Sequence, residues 1–297
     1  DEAAIEDAVD RYRVFGRVTP QQKRDLVKAL HRRGRTVAMT GDGVNDVLAL
    51  READCSVSMA SGSAAARNVS EIVLADNDFS HMPEVVAEGR RSINNLQRSA
   101  SLFLVKTVFT AVLALICIFM PPYPFIPIQM SLISTAVIGI PSFVLALEPN
   151  HERIRGNFLA NVLARSLPAS LAIVCALFAE LALGRLLDHS FAEISTVCMM
   201  ITVVIGLALI YRISRPLTPL RSALLVAMSG LLLLSYTVFG EFFHVVRLAP
   251  DVAVFTVVLA ALSITLFEWT SRIFLANYEQ SVLFARVVRF VEGKDGK

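Results

Sequence analysis

Residues 40–46 read Thr40-Gly41-Asp42-Gly43-Val44-Asn45-Asp46, and they continue a short β-like run at 35–40. The glycines on either side of Asp42 let the backbone turn tightly, and Asp46 follows Asp42 by one helical turn. The stretch therefore predicts a turn from a strand into a helix, with two carboxylates on one side of it. A Gly-Asp-Gly turn with a nearby Asp is also typical of a plain hairpin or loop.

The residues around this turn alternate between helix and strand patterns. Thr19 and Gln22 predict a capping box at the start of a helix. Beyond the turn, 56–59 and Ile72–Leu74 predict two more short strands, with a small helix at Ala64–Val69 between them. Such alternation predicts an α/β fold with a parallel sheet, and reactive groups in these sheets gather at the carboxyl ends of the strands.

Asp42 is therefore predicted to lie where a Mg²⁺ ion would bind. Mg²⁺ prefers one or two carboxylates together with water and phosphate oxygens, and Asp42 and Asp46 would supply the carboxylates. Lys23, in the preceding predicted helix, would neutralise a phosphoryl oxygen. The pattern indicates phosphoryl chemistry at the end of the first strand.

The rest of the chain is predicted to form an all-α transmembrane bundle of six helices. A spanning helix takes about 20 mainly apolar residues. Six stretches qualify, at 101–120, 126–147, 162–187, 194–211, 222–240 and 252–274. A polar amphipathic segment at 79–100 runs into the first of them without a helix breaker. It is interpreted either as a stalk joined to that span or as an amphipathic helix on the membrane surface.

The charge pattern predicts the orientation of the spans. A net charge of +2 with scattered basic residues does not indicate nucleic-acid binding. Basic clusters follow every second span, at Arg153, Arg155 and Arg165, at Arg212, Arg215 and Arg221, and at Arg272, Arg286, Arg289 and Lys294. By the positive-inside rule, the amino-terminal segment and the carboxy-terminal tail are predicted to be cytoplasmic.

The cysteines and histidines are dispersed and do not indicate a metal centre. The four cysteines are predicted to be buried thiols in a reducing compartment: Cys55, Cys117, Cys175 and Cys198. The five histidines are predicted to lie on the surface: His31, His81, His151, His189 and His244.

Two motifs and the later spans together resemble the P-type ATPases, which belong to the haloacid-dehalogenase-like phosphotransferases. The first motif is Phe15-Gly16-Arg17-Val18-Thr19-Pro20-Gln21-Gln22-Lys23, and the second is the 40–46 turn. The resemblance implies a Rossmann-like phosphorylation domain in which Asp42 binds Mg²⁺ and Lys23 contacts the phosphoryl group. It also implies that Asn45 and Asp46 support the phosphorylation site. The implied cofactor-binding turn is Thr40, Gly41, Asp42 and Gly43.

The aspartate that this family phosphorylates is missing from the sequence. No Asp-Lys-Thr-Gly-Thr motif occurs, and neither does the Thr-Gly-Glu motif of the actuator domain. The chain alone is therefore predicted to be inactive, because covalent catalysis needs that nucleophile. The implied partners are the lipid bilayer and the remainder of the pump: the actuator domain, the nucleotide-binding domain that takes ATP as substrate, and helices one to four.

The resemblance also implies a domain organisation. Residues 1–78 form the carboxy-terminal part of the phosphorylation domain, and 79–100 form the stalk helix. Residues 101–276 correspond to helices five to ten, and 277–297 form a cytoplasmic tail. Six spans and scattered cysteines differ from the heavy-metal branch, which has fewer spans in this part and a Cys-Pro-Cys-like site.

The membrane half departs from the calcium and sodium pumps of the family. Those pumps carry Asn, Thr and Asp ligands on the sixth helix, where this chain has Ser134, Val137 and Ile138. The fifth helix offers Thr107 and Thr110 where those pumps have Asn and Glu. Few of the six or more oxygens that a dehydrated Ca²⁺ requires are therefore present on these two helices.

Lys106 lies inside the first predicted span, where a charge is costly and needs a partner. It is interpreted either as a counter-charge in the transport site, as in proton–potassium pumps, or as a packing group bonded to carbonyls. Its candidate acidic partners are Glu148, Glu180 and Glu268. The candidate transport site comprises Lys106, Thr107, Thr110, Ser134, Glu148 and Glu180.

The sequence thus predicts ATP-driven transport of a cation through an aspartyl-phosphate intermediate, in the plasma membrane of a bacterium. Two alternatives remain open. The same machinery could carry a non-metal cargo such as a polyamine or a lipid, or the chain could be a non-enzymatic membrane protein with a vestigial phosphatase-like domain.

Overall fold

A computed structural model describes residues 2–154 and 156–277 of the chain. The chain divides into two compact units, Asp1–Val86 and Ala87–Lys297. The predicted cytoplasmic tail lies outside the described residues, apart from Asn277.

The first unit is a small α/β structure. Its helices are α1 (Glu2–Arg11), α2 (Pro20–Arg32), α3 (Val47–Glu52) and α4 (Ala64–Val69). Its strands are β1 (Ala38–Thr40), β2 (Cys55–Met59) and β3 (Ile72–Leu74), and short 3₁₀ turns occupy Val44–Asp46 and Phe79–His81. The strands pair in parallel in the order β1-β2-β3. The predicted parallel sheet is therefore confirmed.

Helix α2 begins with the capping box that the sequence predicts. The N–H of Gln22 donates to Thr19 Oγ1 at 3.3 Å, and the N–H of Thr19 donates to Gln22 Oε1 at 2.9 Å. Helix α1 was not predicted, and it is held to α2 by the Arg32–Glu6 ion pair at 2.5 Å. A short helix that depends on such partners carries a weak signal of its own.

Strand β1 begins at Ala38, later than the predicted residue 35. The N–H of Val37 donates to Asp54 Oδ2 at 2.7 Å, so this backbone group bonds a side chain instead of a strand. The hydrogen bond from Val37, together with one from His31, holds the pKa of Asp54 below its ordinary value. The carboxylate of Asp54 therefore fixes where the strand starts.

In the described part of the chain, six helical stretches are long and apolar enough to cross a membrane. The first is α5 (Met82–Phe119), which begins before the boundary between Val86 and Ala87. The second runs through α6 (Pro127–Ile133), a π-helical segment (Ser134–Gly139) and α7 (Ile140–Leu147). The third is α8 (Phe158–Ala179) with a π-helical segment (Glu180–Gly184), followed by α9 (Phe191–Ile213), α10 (Pro219–Thr237) and α11 (Pro250–Asn277).

The six predicted spans are confirmed, with shifts at their ends. The third helix begins at Phe158 instead of residue 162, because Asn157 accepts the N–H groups of Leu159 and Ala160 and so caps it earlier. The π-helical segments were not predicted, since hydropathy does not distinguish a π turn from an α turn. Helix α5 is continuous, so the polar segment 82–100 and the first span form one helix.

Helix α9 forms the centre of the bundle. In the most apolar 18-residue stretch of α9, 72% is buried inside the protein, against 22% in the corresponding stretches of α5 and α10. Cys198 on α9 is correspondingly buried, Cys55 and Cys117 are half-buried, and Cys175 on α8 is exposed. The prediction of buried thiols is therefore right for Cys198 and wrong for Cys175.

A close contact between α9 and the π-helical segment Ser134–Gly139 depends on Gly206. A Cβ at this position would lie 2.6 Å from both Val137 Cγ1 and Val137 Cγ2. We therefore expect Gly206→Ala to overpack the bundle, which costs about 1–3 kcal/mol, and to lower the thermal unfolding midpoint of the purified protein. Small residues at helix contacts let membrane helices approach closely, and for this reason a larger residue at position 206 should destabilise the contact.

The matched control is Gly230→Ala on α10, where no atom of a described residue lies within 4 Å of an added Cβ. It should leave the midpoint unchanged or raise it slightly, because Ala is the better helix former. Adding Val137→Ala to Gly206→Ala should recover part of the loss. Equal midpoints for the two glycine variants would show that the contact does not limit packing.

Candidate functional site

The 40–46 turn leaves the sheet at the end of β1 and leads into α3. The N–H of Gly41 donates to the carbonyl of Val57 at 3.0 Å, which ties the start of the turn to β2. A Cβ on Gly41 would lie 2.5 Å from the Cβ of Asp46, closer than side-chain carbons approach. Only glycine, which has no Cβ, lets the backbone at residue 41 pack this closely against the side chain of Asp46.

Asp46 is a buried carboxylate that holds the turn to α2. Its side chain accepts from Lys23 Nζ through Oδ1 at 2.6 Å and from the N–H of Gly43 through Oδ2 at 3.2 Å. Asp46 is only 8% exposed, whereas the side chain of Lys23 is 32% exposed, so the ion pair is shielded from water on the Asp46 side only. A charge-assisted hydrogen bond in such a setting is stronger than a neutral one. Both oxygens of Asp46 are therefore engaged in positioning Lys23 and the turn.

Asp42 is the exposed carboxylate of the turn. Its carbonyl accepts the N–H of Ser63 at 2.7 Å, and a Cβ on Gly62 would lie 3.0 Å from the same oxygen. The backbone is thus fixed between β1 and the loop after β2. The side chain of Asp42 forms no hydrogen bond or ion pair with another described residue. Its carboxylate is therefore available to a ligand.

The donors at this turn fit Mg²⁺. Thr40 and Asn45 are exposed beside Asp42, and all three present oxygen atoms. Mg²⁺ keeps several waters and needs only one or two protein carboxylates. Within 2–154 and 156–277, no group of three or more His, Cys, Asp or Glu side chains is placed to enclose a metal ion. A hard cation held by one carboxylate and water matches this donor set, with Asp42 as that carboxylate.

Lys106 in the first span bonds a hydroxyl. Its Nζ donates to Ser134 Oγ at 2.5 Å, and Ser134 Oγ in turn donates to the carbonyl of Met130 at 2.6 Å. The hydroxyl of Thr107 donates to the carbonyl of Phe103 at 3.2 Å, and the hydroxyl of Thr110 donates to the carbonyl of Lys106 at 2.7 Å. The structure therefore brings Lys106 and Ser134 together, while the hydroxyls of the two threonines satisfy their own helix.

Two of the three acids named as candidate partners of Lys106 pair with arginines instead. Glu148 accepts from Arg221 Nε and from Thr218 Oγ1 at 2.7 Å. Burial works to raise the pKa of Glu148, but the hydrogen bonds from Thr218 and Arg221 outweigh it and the pKa lies below its ordinary value. Glu268 pairs with Arg212 at 2.9 Å. These two carboxylates therefore connect the end of α7 with α10, and α11 with α9.

Glu180 pairs with a histidine. Glu180 is fully buried, and its Oε1 lies 3.1 Å from His189 Nδ1. The side chain of His189 is 4% exposed, and its ring packs edge-on against Phe255 with centroids 5.4 Å apart. The prediction that all five histidines lie on the surface is thus wrong for His189, because the chain folds back over the end of α8.

The sequence prediction missed two buried arginines. Arg98 and Arg221 are each 6% exposed. Arg221 also donates to the carbonyls of Ser214 and Pro216, at 3.1 and 2.7 Å. A signal was present, because a charged residue beside an apolar span needs a partner. Only the folded structure identifies which group supplies it.

Comparison with known proteins gives a consistent set of relatives. No protein-family model matches the chain. The chain is 41% identical over 222 residues to the "Probable cation-transporting ATPase exp7" of Streptococcus pneumoniae, a match that covers 72% of this chain and 28% of that protein. It is 43% identical over 242 residues to the "Calcium-transporting ATPase CtpE" of Mycobacterium bovis, covering 76% of this chain and 30% of the relative.

A third relative is the "Calcium-transporting ATPase CtpE" of Mycobacterium tuberculosis. It is 48% identical over 185 residues, covering 59% of this chain and 23% of the relative. The chain therefore spans less than a third of the length of the curated relatives that it matches.

Proposed function

The homologues of this chain are P-type cation-transporting ATPases, and from this premise we propose that it is the carboxy-terminal part of such a pump. The carrying observation is the 40–46 turn, where an exposed Asp42 lies four residues before a buried Asp46 that pairs with Lys23 of α2. The whole protein would couple ATP hydrolysis to cation transport through an aspartyl phosphate formed on a residue outside this sequence.

Each residue of the turn has a separate proposed role. Asp42 would hold Mg²⁺, which when bound would neutralise charge on the transferred phosphoryl group. Lys23 would approach a phosphoryl oxygen with its ammonium, since Asp46 holds that group at the turn. Asn45 and Thr40 would offer further polar contacts at the exposed edge. Gly41 and Gly43 keep the turn narrow, and the N–H of Gly43 fixes the second oxygen of Asp46.

The haloacid-dehalogenase-like, Rossmann-like fold is also proposed for the first unit. Three parallel strands with helices between them, and the reactive turn at the carboxyl end of β1, support it. Ligands in open parallel sheets bind at this edge. We assign 1–78 to the phosphorylation domain, 79–100 to the stalk and 101–276 to helices five to ten of the pump.

In the proposed orientation, both ends of the chain lie on the cytoplasmic side of a bacterial plasma membrane. Arg153, Arg165, Arg212 and Arg215 all lie at the same end of the alternating spans. The positive-inside rule assigns that end to the cytoplasm. The first unit precedes α5 and would then meet ATP, Mg²⁺ and the remainder of the pump on the cytoplasmic side.

The transported species is proposed to be an inorganic cation, which the names of the relatives support. The Lys106–Ser134 contact puts a positive charge between the first two spans. This charge would act as a built-in counter-charge that limits the number of divalent ions bound nearby. Oxygen ligands beyond Ser134 would come from the helices of the pump that precede this sequence.

The test is ATP hydrolysis by the full-length pump, purified and assayed with single added solutes. We expect stimulation by one inorganic cation, such as Ca²⁺, and none by a polyamine or by an added phospholipid. Stimulation by a polyamine or a lipid alone would favour the alternative cargo. Absence of any ATP-dependent phosphorylation would favour a scaffold and contradict the proposal.

A further inference from the structure

A cavity of about 250 Å³ opens at one end of the helical bundle in the second unit. Arg98 lies before the apolar part of α5, Arg165 near the start of α8, and Arg212 near the end of α9. Successive spans cross the membrane in opposite directions, so these three positions share one end of the bundle. With about 30 Å³ per water molecule, the cavity has room for a group much larger than one water.

The lining of this cavity is strongly basic. The part of the chain that the structure describes contributes four arginines to it: Arg98, Arg165, Arg212 and Arg215. Among the described residues that line it, Glu152 is the one carboxylate. Asn94, Asn150 and Ser271 add neutral polar groups. The arrangement therefore favours an anion with several oxygen atoms.

Arg165, Arg212 and Arg215 each interact with other groups of the protein, whereas Arg98 lacks a partner for part of its fork. Arg212 pairs with Glu268 at 2.9 Å, and Arg215 donates to the hydroxyl of Tyr211 at 2.6 Å. Arg98 is 94% buried, and its Nη1 has no hydrogen-bond partner among the described residues. A buried guanidinium nitrogen without a partner is costly, so a small turn of the fork that lets a ligand in the cavity accept from Nη1 would recover that free energy on binding.

We propose that this cavity binds a phosphate group, with Arg98 as the principal contact. The planar guanidinium fork matches phosphate oxygens in pairs, and arginine is less strongly hydrated than lysine. Basic pockets between membrane helices on the cytoplasmic side bind anionic lipid head groups. The phosphate belongs either to an anionic phospholipid or to soluble phosphate. The proposal concerns binding only, so it stands or falls independently of the ATPase activity proposed above.

The experiment measures ligand-dependent thermal unfolding of the full-length protein in neutral detergent. The probes are dihexanoyl phosphatidylglycerol and inorganic phosphate, with dihexanoyl phosphatidylcholine as the zwitterionic comparison. We expect a saturable rise of the unfolding midpoint with an anionic probe. Arg98→Met should weaken this binding at least about tenfold, as loss of a charged hydrogen bond does. Arg98→Lys should recover only part of it, because lysine lacks the fork.

The matched control is Arg153→Met, which removes an exposed arginine from the same end of the bundle without altering the cavity lining. It should bind like the unaltered protein. Saturation by phosphatidylglycerol alone identifies a lipid head group, and saturation by inorganic phosphate as well identifies a free phosphate; both support the site. The proposal is overturned if neither probe gives a saturable shift in the unaltered protein. It is equally overturned if Arg98→Met or Arg98→Lys binds as tightly as Arg153→Met.

Discussion

Asp42→Asn in the full-length pump should reduce phosphoenzyme formation from ATP at least about a hundredfold at physiological Mg²⁺, about 2.7 kcal/mol of lost transition-state stabilisation. Asn keeps the shape of the side chain but removes the negative charge that Mg²⁺ prefers. The carboxylate of Asp42 is exposed and has no partner among the described residues, so the fold should not depend on it. Incorporation of labelled phosphate into the protein measures the effect.

Two further measurements assign the loss to metal binding. Raising the Mg²⁺ concentration should restore part of the phosphorylation of Asp42→Asn, and the thermal unfolding midpoint should stay unchanged. Asp7→Asn is the matched control, because Asp7 is an exposed carboxylate in the same unit, paired with Arg11 at 3.0 Å. It should be phosphorylated normally. Normal phosphorylation of Asp42→Asn would remove Asp42 from the proposed metal site.

Arg221→Met should destabilise the second unit by about 3–5 kcal/mol, because it leaves the carboxylate of Glu148 without its charged partner. The side chains of Arg221 and Glu148 are 7% and 17% exposed, so water compensates little for the lost cation. The change also leaves the carbonyls of Ser214 and Pro216 without their donor. Thermal unfolding of the purified protein should show a clearly lower midpoint.

The double change Glu148→Met with Arg221→Met should recover part of this stability, since replacing both members of a buried pair by apolar groups is often close to neutral. Arg272→Met removes an exposed arginine at the same end of the bundle and should have little effect. A midpoint for Arg221→Met equal to that of Arg272→Met would show that the ion pair contributes nothing to folding.

The same ion pair predicts a dependence on pH. The pKa of Glu148 is lowered in the folded protein, so its stabilising contribution is present above the ordinary carboxyl pKa. That contribution is lost as the pH falls through the lower folded value. In Arg221→Met, protonation relieves the unpaired buried charge. The difference in midpoint between the unaltered protein and Arg221→Met should therefore narrow on acidification.

Local patterns in the sequence predicted the first unit well. The capping box at Thr19, the strand at Ile72–Leu74 and the helix at Ala64–Val69 all depend on residues a few positions apart. The six spans were equally accessible, because mean hydropathy over about 20 residues is a local property. Boundaries shifted where a single side chain intervened, as Asp54 does at the start of β1.

Partners that are distant along the chain could not be predicted. Arg221 and Glu148 are 73 residues apart, and Lys106 and Ser134 are 28 apart. Their pairing depends on which helices lie side by side, and hydropathy carries no such information. The sequence correctly marked Lys106 as needing a partner but named three acids, whereas the folded protein supplies a hydroxyl. For the 40–46 turn, the motif named the residues, but only the structure separates the engaged Asp46 from the available Asp42.

The unbroken helix α5 has a mechanical consequence. It contains 38 residues, and at about 1.5 Å of rise per residue it is about 57 Å long. A rigid rod of this length that tilts by about 5° moves its far tip by about 5 Å, which is close to one helical turn. A small tilt of the helix about one end therefore moves the side chains at its other end far enough to contact different neighbours.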